Sequence, residues 1–277
     1  MPSSHEQPLP EVIRSLLCVL LAACGKSPTP APAATSPDAP VASTSAASGE
    51  SWEVVLLERD EPPNQLIRMM HDAAYLPCVE VAKLLKVAVK PFPVVPDNYG
   101  HRRVTRITNG SSTVVKTESL GGEDASSMDP KTGCVYTLPS EKMVSVSVSH
   151  AGKSTQVDNG KVTSVEEIPE WPAFAPRGKE TTEYTQARTV NGVELRCLAP
   201  NFWTMNTNKY LDLREMCVYQ TDKVLVDESG DPLILLSHAY ANVVNPKYAY
   251  TAIVEPLSLR RIPKSEKDPY QVSNWGK

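Results

Sequence analysis

Met143-Val144-Ser145-Val146-Ser147-Val148-Ser149 alternates apolar and hydroxyl side chains at every step after its first residue. Successive side chains of an extended chain point to opposite faces, so the valines share one face and the serines the other. A strand with one dry and one wet face belongs to an antiparallel sheet packed on one side. Working outward, strands are expected at 104–107 and 113–116 around Asn109-Gly110, a hairpin-turn dipeptide. Further strand candidates are 135–138, 155–157, 185–190, 193–198, 216–219, 224–226, 233–236 and 248–254. Arg106-Ile107-Thr108-Asn109-Gly110 echoes Arg188-Thr189-Val190-Asn191-Gly192, which fits either a duplicated lobe or shared turn chemistry.

Helical periodicity is confined to the start of this body. Leu66, Met69, Met70 and Ala73 are helically spaced, and Pro77 suits the first turn of a second helix whose apolar face is read as 78, 81, 82, 85 and 88. Residues 91–100 then read as a proline-rich loop. The expected fold is therefore mainly β or α+β, an antiparallel sheet with a short helical region near the start of the folded body.

Upstream, Leu16 to Ala23 is an apolar run ending in Leu21-Ala22-Ala23-Cys24-Gly25. It is too short for a bilayer span, which needs about 20 residues, and ends in small residues as a processed signal segment does. This arrangement resembles the lipobox of bacterial lipoproteins. The resemblance implies a signal peptide over 1–23 and acylation of Cys24 as the mature N-terminus, a palmitate-type lipid anchoring the chain to the membrane. By the family's sorting rule, Gly25 in place of aspartate implies the outer membrane, with the domain facing the periplasm. Residues 24–50 follow as a disordered Pro/Ala/Ser-rich tether: five prolines and scarcely any large apolar residue cannot offset the entropy of ordering. Residues 51–277 form the periplasmic domain, with two lobes an open alternative.

Cys78, Cys134, Cys197 and Cys217 are an even set in a chain with an export signal, which suits two disulfides. Three full pairings exist. Cys197–Cys217, closing a short loop, and Cys78–Cys134, tying the helices to the sheet, are preferred. No Cys-x-x-Cys and no close pair of thiols favours redox or zinc chemistry.

With 28 Lys+Arg against 32 Asp+Glu the formal charge is -4 and no dense basic face emerges, so nucleic acid is not an expected partner. The histidines form no metal-ligand spacing, and neighbouring His71 and Asp72 are read as diverging on a helix. Gly121-Gly122-Glu123-Asp124 and the polar residues through Asp129 read as a loop, and Asp227-Glu228-Ser229-Gly230-Asp231 as a turn without the ligand spread of a calcium loop. No catalytic, metal or cofactor site is assigned, and an enzyme is the less favoured class. Phe202, Trp203 and Tyr210, between Cys197 and Cys217, are the candidate protein-binding residues, since a disulfide would constrain a loop rich in large aromatics. Trp171 and Phe174, in a second proline-rich stretch, are weaker candidates for the same rim.

The functional expectation is a membrane-anchored, periplasm-facing lipoprotein that binds another protein, an inhibitor or immunity protein for a secreted toxin being one version. An envelope-associated hydrolase is the enzyme alternative. A passive structural or envelope-assembly lipoprotein is the third.

Overall fold

The computed structural model describes residues 50–121, 125–168, 183–199, 211–220, 225–226, 232–241, 245–263 and 267–276. The signal segment, Cys24, the tether, Trp171, Phe174, Phe202, Trp203, Tyr210 and the turn at 227–231 lie outside them.

The first strand of the body, β1 (Trp52–Glu61), leads into α1 (Gln65–Met70), a π-helical turn (His71–Tyr75) and α2 (Leu76–Leu84). Then come β2 (Arg102–Thr108), β3 (Thr113–Gly121), β4 (Ser127–Asp129), β5 (Gly133–Val135), β6 (Glu141–His150), β7 (Lys153–Asp158) and β8 (Lys161–Glu167). The second half supplies β9 (Tyr184–Val190), β10 (Val193–Leu198), β11 (Leu211–Val218), β12 (Ile234–Ala241) and β13 (Tyr250–Arg261). The fold is α+β, with eleven strands in one antiparallel sheet ordered β8-β7-β6-β3-β2-β1-β13-β12-β11-β10-β9 and β4-β5 apart as a two-stranded ribbon. The first half meanders outward from β1 and the second meanders back to it, so the first and last strands pair at the centre.

Alternation in β6 works as its sequence requires: Val146 and Val148 are buried against Val114, Val157 and Ile107. The tail covers this apolar layer with Ile262, Tyr270, Val272 and Trp275. Trp52, Val54 and Leu56 point from β1 to the opposite face, where they pack with Val193 and Leu195 of β10 and Leu235 of β12. Asn191, at the β9–β10 turn, donates its side-chain amide to the carbonyl of Pro256 in β13, several strands away in sheet order. The second half thus curls back over β1 and β13. Each face of the sheet is dry in a different half.

Asn191 and Gly192 both have positive φ, 51° and 80°, the geometry of a two-residue hairpin turn that Asn and Gly tolerate best. The echoing Asn109-Gly110 builds a different, four-residue turn, in which the Asn109 carboxamide oxygen accepts the N–H groups of Ser111 and Ser112. The two units share turn residues and differ in turn type.

Three local expectations are corrected. The helices form one run rather than two separated segments, with Pro77 at the start of α2 directly after the π-helical turn. Their buried face is Tyr75, Cys78 and Ala82, while Val81, Leu85 and Ala88 of the expected face are exposed. Ser127–Asp129, read as loop, is strand β4, and Cys134 lies in its partner β5. Consequently Cys78–Cys134 ties α2 to the ribbon rather than to the main sheet. Around that bond Tyr75, Ala82, Val87, Val89, Phe92, Met128 and Tyr136 form a satellite core.

Candidate functional site

α1, the π-helical turn, the loop after α2 and a 3-10 turn at Pro246–Tyr248 enclose an open cleft of about 380 Å³. Asn64 starts α1 from a left-handed conformation (φ 61°), which an asparagine adopts readily. Its side chain donates to the Pro96 carbonyl at 2.9 Å, fixing the loop across the cleft. Ile67, Phe92 and Val95 supply the apolar lining, and Arg68, Asp97 and Lys247 supply charge.

Four polar side chains converge at one wall. His71 Nδ1 and Asp72 Oδ1 are 2.8 Å apart, Lys247 Nζ lies 2.5 Å from Asp72 Oδ2, and the Tyr248 hydroxyl donates to the same oxygen at 2.7 Å. The bond to Lys247 is the main reason that the Asp72 carboxyl is held far below the usual carboxylate range, with His71 and Tyr248 adding to it. Reciprocally, Asp72 raises the Lys247 ammonium above its ordinary value. His71 and Asp72 meet, against the expectation from ordinary helical geometry, at the start of the π-helical turn.

The His71 ring stacks on Tyr75, centroids 5.7 Å apart, and meets Phe92 edge-on at 4.7 Å; Phe92 stacks on Tyr136 at 4.6 Å. A carboxylate at Nδ1 favours the tautomer that carries its proton there, which leaves Nε2 as an acceptor. Such a histidine is oriented by two means, ring packing and the contact with Asp72. No serine, threonine or cysteine is among the described lining residues, so a side-chain nucleophile of those types is absent from this wall.

Other histidines have different surroundings. His150 ends β6, meets Ser112 at 2.8 Å through Nδ1 and stacks on Tyr270; the ring itself is exposed, and it caps two buried residues, so it links the tail to the sheet from outside. His238 lies within β12, 3.2 Å from Glu215, which also meets Arg188 on β9. Arg102 and His101 flank Asp60, whose carboxyl burial pushes upward against the opposing pull of these neighbours.

Both preferred cysteine pairs are bonded. Cys197 and Cys217 are directly opposed on β10 and β11, and Cys78 joins Cys134. Glu215 lies beside the first pair, but its two sulfurs are bonded to each other and offer no thiolate to a metal. The cleft had no sequence signal, because Asp72 and Lys247 are 175 residues apart and neither belongs to a spaced motif. The chain matches no protein-family model, no curated protein and no solved structure.

Proposed function

We propose that this chain is a bacterial lipoprotein, anchored to the outer membrane through acylated Cys24, whose periplasmic domain binds another protein. The observation that carries the binding half is the cleft: it is open, apolar at Ile67, Phe92 and Val95, and edged by charges of both signs. Its volume lies at the low end of ligand cavities, a size suited to one anchoring side chain of a partner. Arg68 and Asp97 then read that partner's polar rim, as interface peripheries do. Two disulfides support the exported half, since such bonds persist in oxidising compartments. The loop closed by Cys197 and Cys217, carrying Phe202, Trp203 and Tyr210, is a second candidate contact. A toxin inhibitor or immunity protein and an envelope-assembly factor both fall within this reading.

Intact mass and membrane fractionation test the anchor: loss of residues 1–23 together with a diacylglyceryl or triacyl adduct on Cys24 is expected. A soluble chain retaining the leader refutes it. For the cleft, Arg68→Glu combined with Val95→Asp should weaken capture of partners by the native protein while leaving the circular dichroism unchanged. An unchanged partner set from the folded variant rejects the cleft as the contact.

The oriented His71–Asp72 pair favours one second reading, an envelope-associated hydrolase in which His71 Nε2 activates water. A His71→Ala variant that loses hydrolysis of an envelope substrate while keeping every partner would select it.

A further inference from the structure

Val81-Ala82-Lys83-Leu84-Leu85-Lys86-Val87-Ala88-Val89-Lys90-Pro91-Phe92-Pro93-Val94-Val95 carries three lysines and no acidic residue. Val87, Val89 and Phe92 turn into the satellite core, whereas Leu84 is 83% exposed and Val94 is 93% exposed. Val81 and Leu85 are exposed as well, and so are all three lysines. Folding has left a strongly apolar, purely cationic segment in water. Large apolar side chains exposed along one short stretch of chain, from the end of α2 into the loop after it, mark a contact surface.

We propose that the C-terminal end of α2 and the loop after it dock on a phospholipid surface with anionic headgroups. Leu84, Leu85 and Val94 enter the acyl boundary, and Lys83, Lys86 and Lys90 meet the phosphates. The residue types separate this surface from a protein contact. Protein hot spots favour Trp, Tyr and Arg and under-use Leu and Val, while aliphatic side chains rimmed by lysine are what interfacial helices present to lipid. Glu80 and Asp97 bound the segment on either side, so its charge is unmixed only where the exposed aliphatic residues lie.

The inference rests on the proposed acylation of Cys24, which holds the domain within reach of a bilayer. β1 carries the chain about 33 Å from residue 52 to the helical end, so docking requires the linker to span at least that distance. The 27 residues from Cys24 to Glu50 reach at most about 90 Å when fully extended. A tethered surface needs little intrinsic affinity, because the anchor supplies a high local concentration.

A polarity-sensitive fluorophore at Leu84→Cys reads the docking directly, with Val162→Cys on β8 as the undocked control. The acylated protein is placed in phosphatidylethanolamine–phosphatidylglycerol vesicles and, separately, in phosphatidylcholine. In a second arm, residues 25–277 are held on the same vesicles by an N-terminal histidine tag and a nickel-chelating lipid. A blue shift at position 84, with quenching by brominated lipid at least twofold above that at position 162, is expected in both arms on anionic vesicles. Lys83→Glu, Lys86→Glu and Lys90→Glu together should abolish the difference. A label at 84 that stays in water in both arms overturns the proposal, as does one shielded only when a partner protein is added. Absence of acyl chains by mass spectrometry, with the label still buried in the tagged arm, removes the anchor and leaves the docking standing.

Discussion

Tyr248 donates its hydroxyl to Asp72 across 176 positions of sequence, 2.7 Å from oxygen to oxygen, and so joins the turn before β13 to the helices after β1. Tyr248 is 7% exposed, while the Asp72 side chain that it meets is 29% exposed at the open cleft, so water can replace part of the lost bond. Tyr248→Phe should lower stability by about 0.5–1.5 kcal/mol, the usual net worth of one hydrogen bond. Urea denaturation of the two proteins measures the difference; an unchanged midpoint would remove this bond from the account of how the cleft wall is held.

The same carboxylate sets a pH dependence whose sign follows from the direction of its shift. Asp72 is depressed by Lys247 first, then by His71 and Tyr248, so its contribution is fully present above the unfolded carboxylate value and is lost as pH falls toward the lower folded one. The Lys247 ammonium is raised by Asp72, so its share is complete below the unfolded lysine value and is lost only as alkaline pH passes the raised folded one. Between about pH 5 and 9 the stability gap between the native chain and Asp72→Asn should therefore stay flat. It should shrink below about pH 4. A gap that varies through neutral pH would contradict this account of the Asp72–Lys247 pair.

The disulfides should differ in what their removal costs. Cys78 and Cys134 are 56 residues apart and Cys197 and Cys217 are 20 apart, so loop-closure entropy assigns about 4 kcal/mol to the first and about 3 kcal/mol to the second. Paired substitution by alanine, followed by denaturant unfolding, gives the order. The Cys78/Cys134 variant should also lose near-ultraviolet signal from Tyr75 and Tyr136, which share its core.

Legibility in the sequence followed the environment of each element. β6 announced itself because one face is packed and the other is wet, and β10 was found with its ends in place for the same reason: Val193, Leu195 and Cys197 are buried while Glu194 and Arg196 are exposed. β1, the strand at the centre of the sheet, was missed. Val54, Val55 and Leu56 are all buried, so both faces are apolar there and the period-two signal vanishes. β8 was missed for the opposite reason, since all seven residues of this edge strand are exposed and no burial imposes a pattern. The preferred cysteine pairs needed only separation and element type. The cleft needed the return of β13 to β1, a long-range pairing with no local signature.

The sidedness of β6 predicts a pair of neighbouring substitutions with unequal effects. Val148→Ala removes two carbons from a side chain that is 1% exposed and should cost about 2 kcal/mol, including the cavity it leaves. Ser147→Ala, on the other face and half-buried, should stay within about 0.5 kcal/mol of the native chain. Equal losses from the two would contradict the one-sided packing of this strand.

Trp203 decides between the two candidate contact regions. It lies outside the described residues, but the bond between Cys197 and Cys217 closes the segment that contains it, which lowers the entropy of ordering that segment against a partner. Trp203→Ala should then weaken capture of the native partner by about 2 kcal/mol, roughly thirtyfold, if the tryptophan is an interface anchor. Loss of a core tryptophan would also reduce capture, but through unfolding, at a stability cost of about 3–5 kcal/mol. Measuring the urea midpoint beside the pull-down separates these cases. A stable variant with weaker capture places the partner on the disulfide-closed loop. Unchanged capture by a stable variant leaves the cleft between α1 and the Pro246–Tyr248 turn as the contact, where the Arg68 and Val95 substitutions test it.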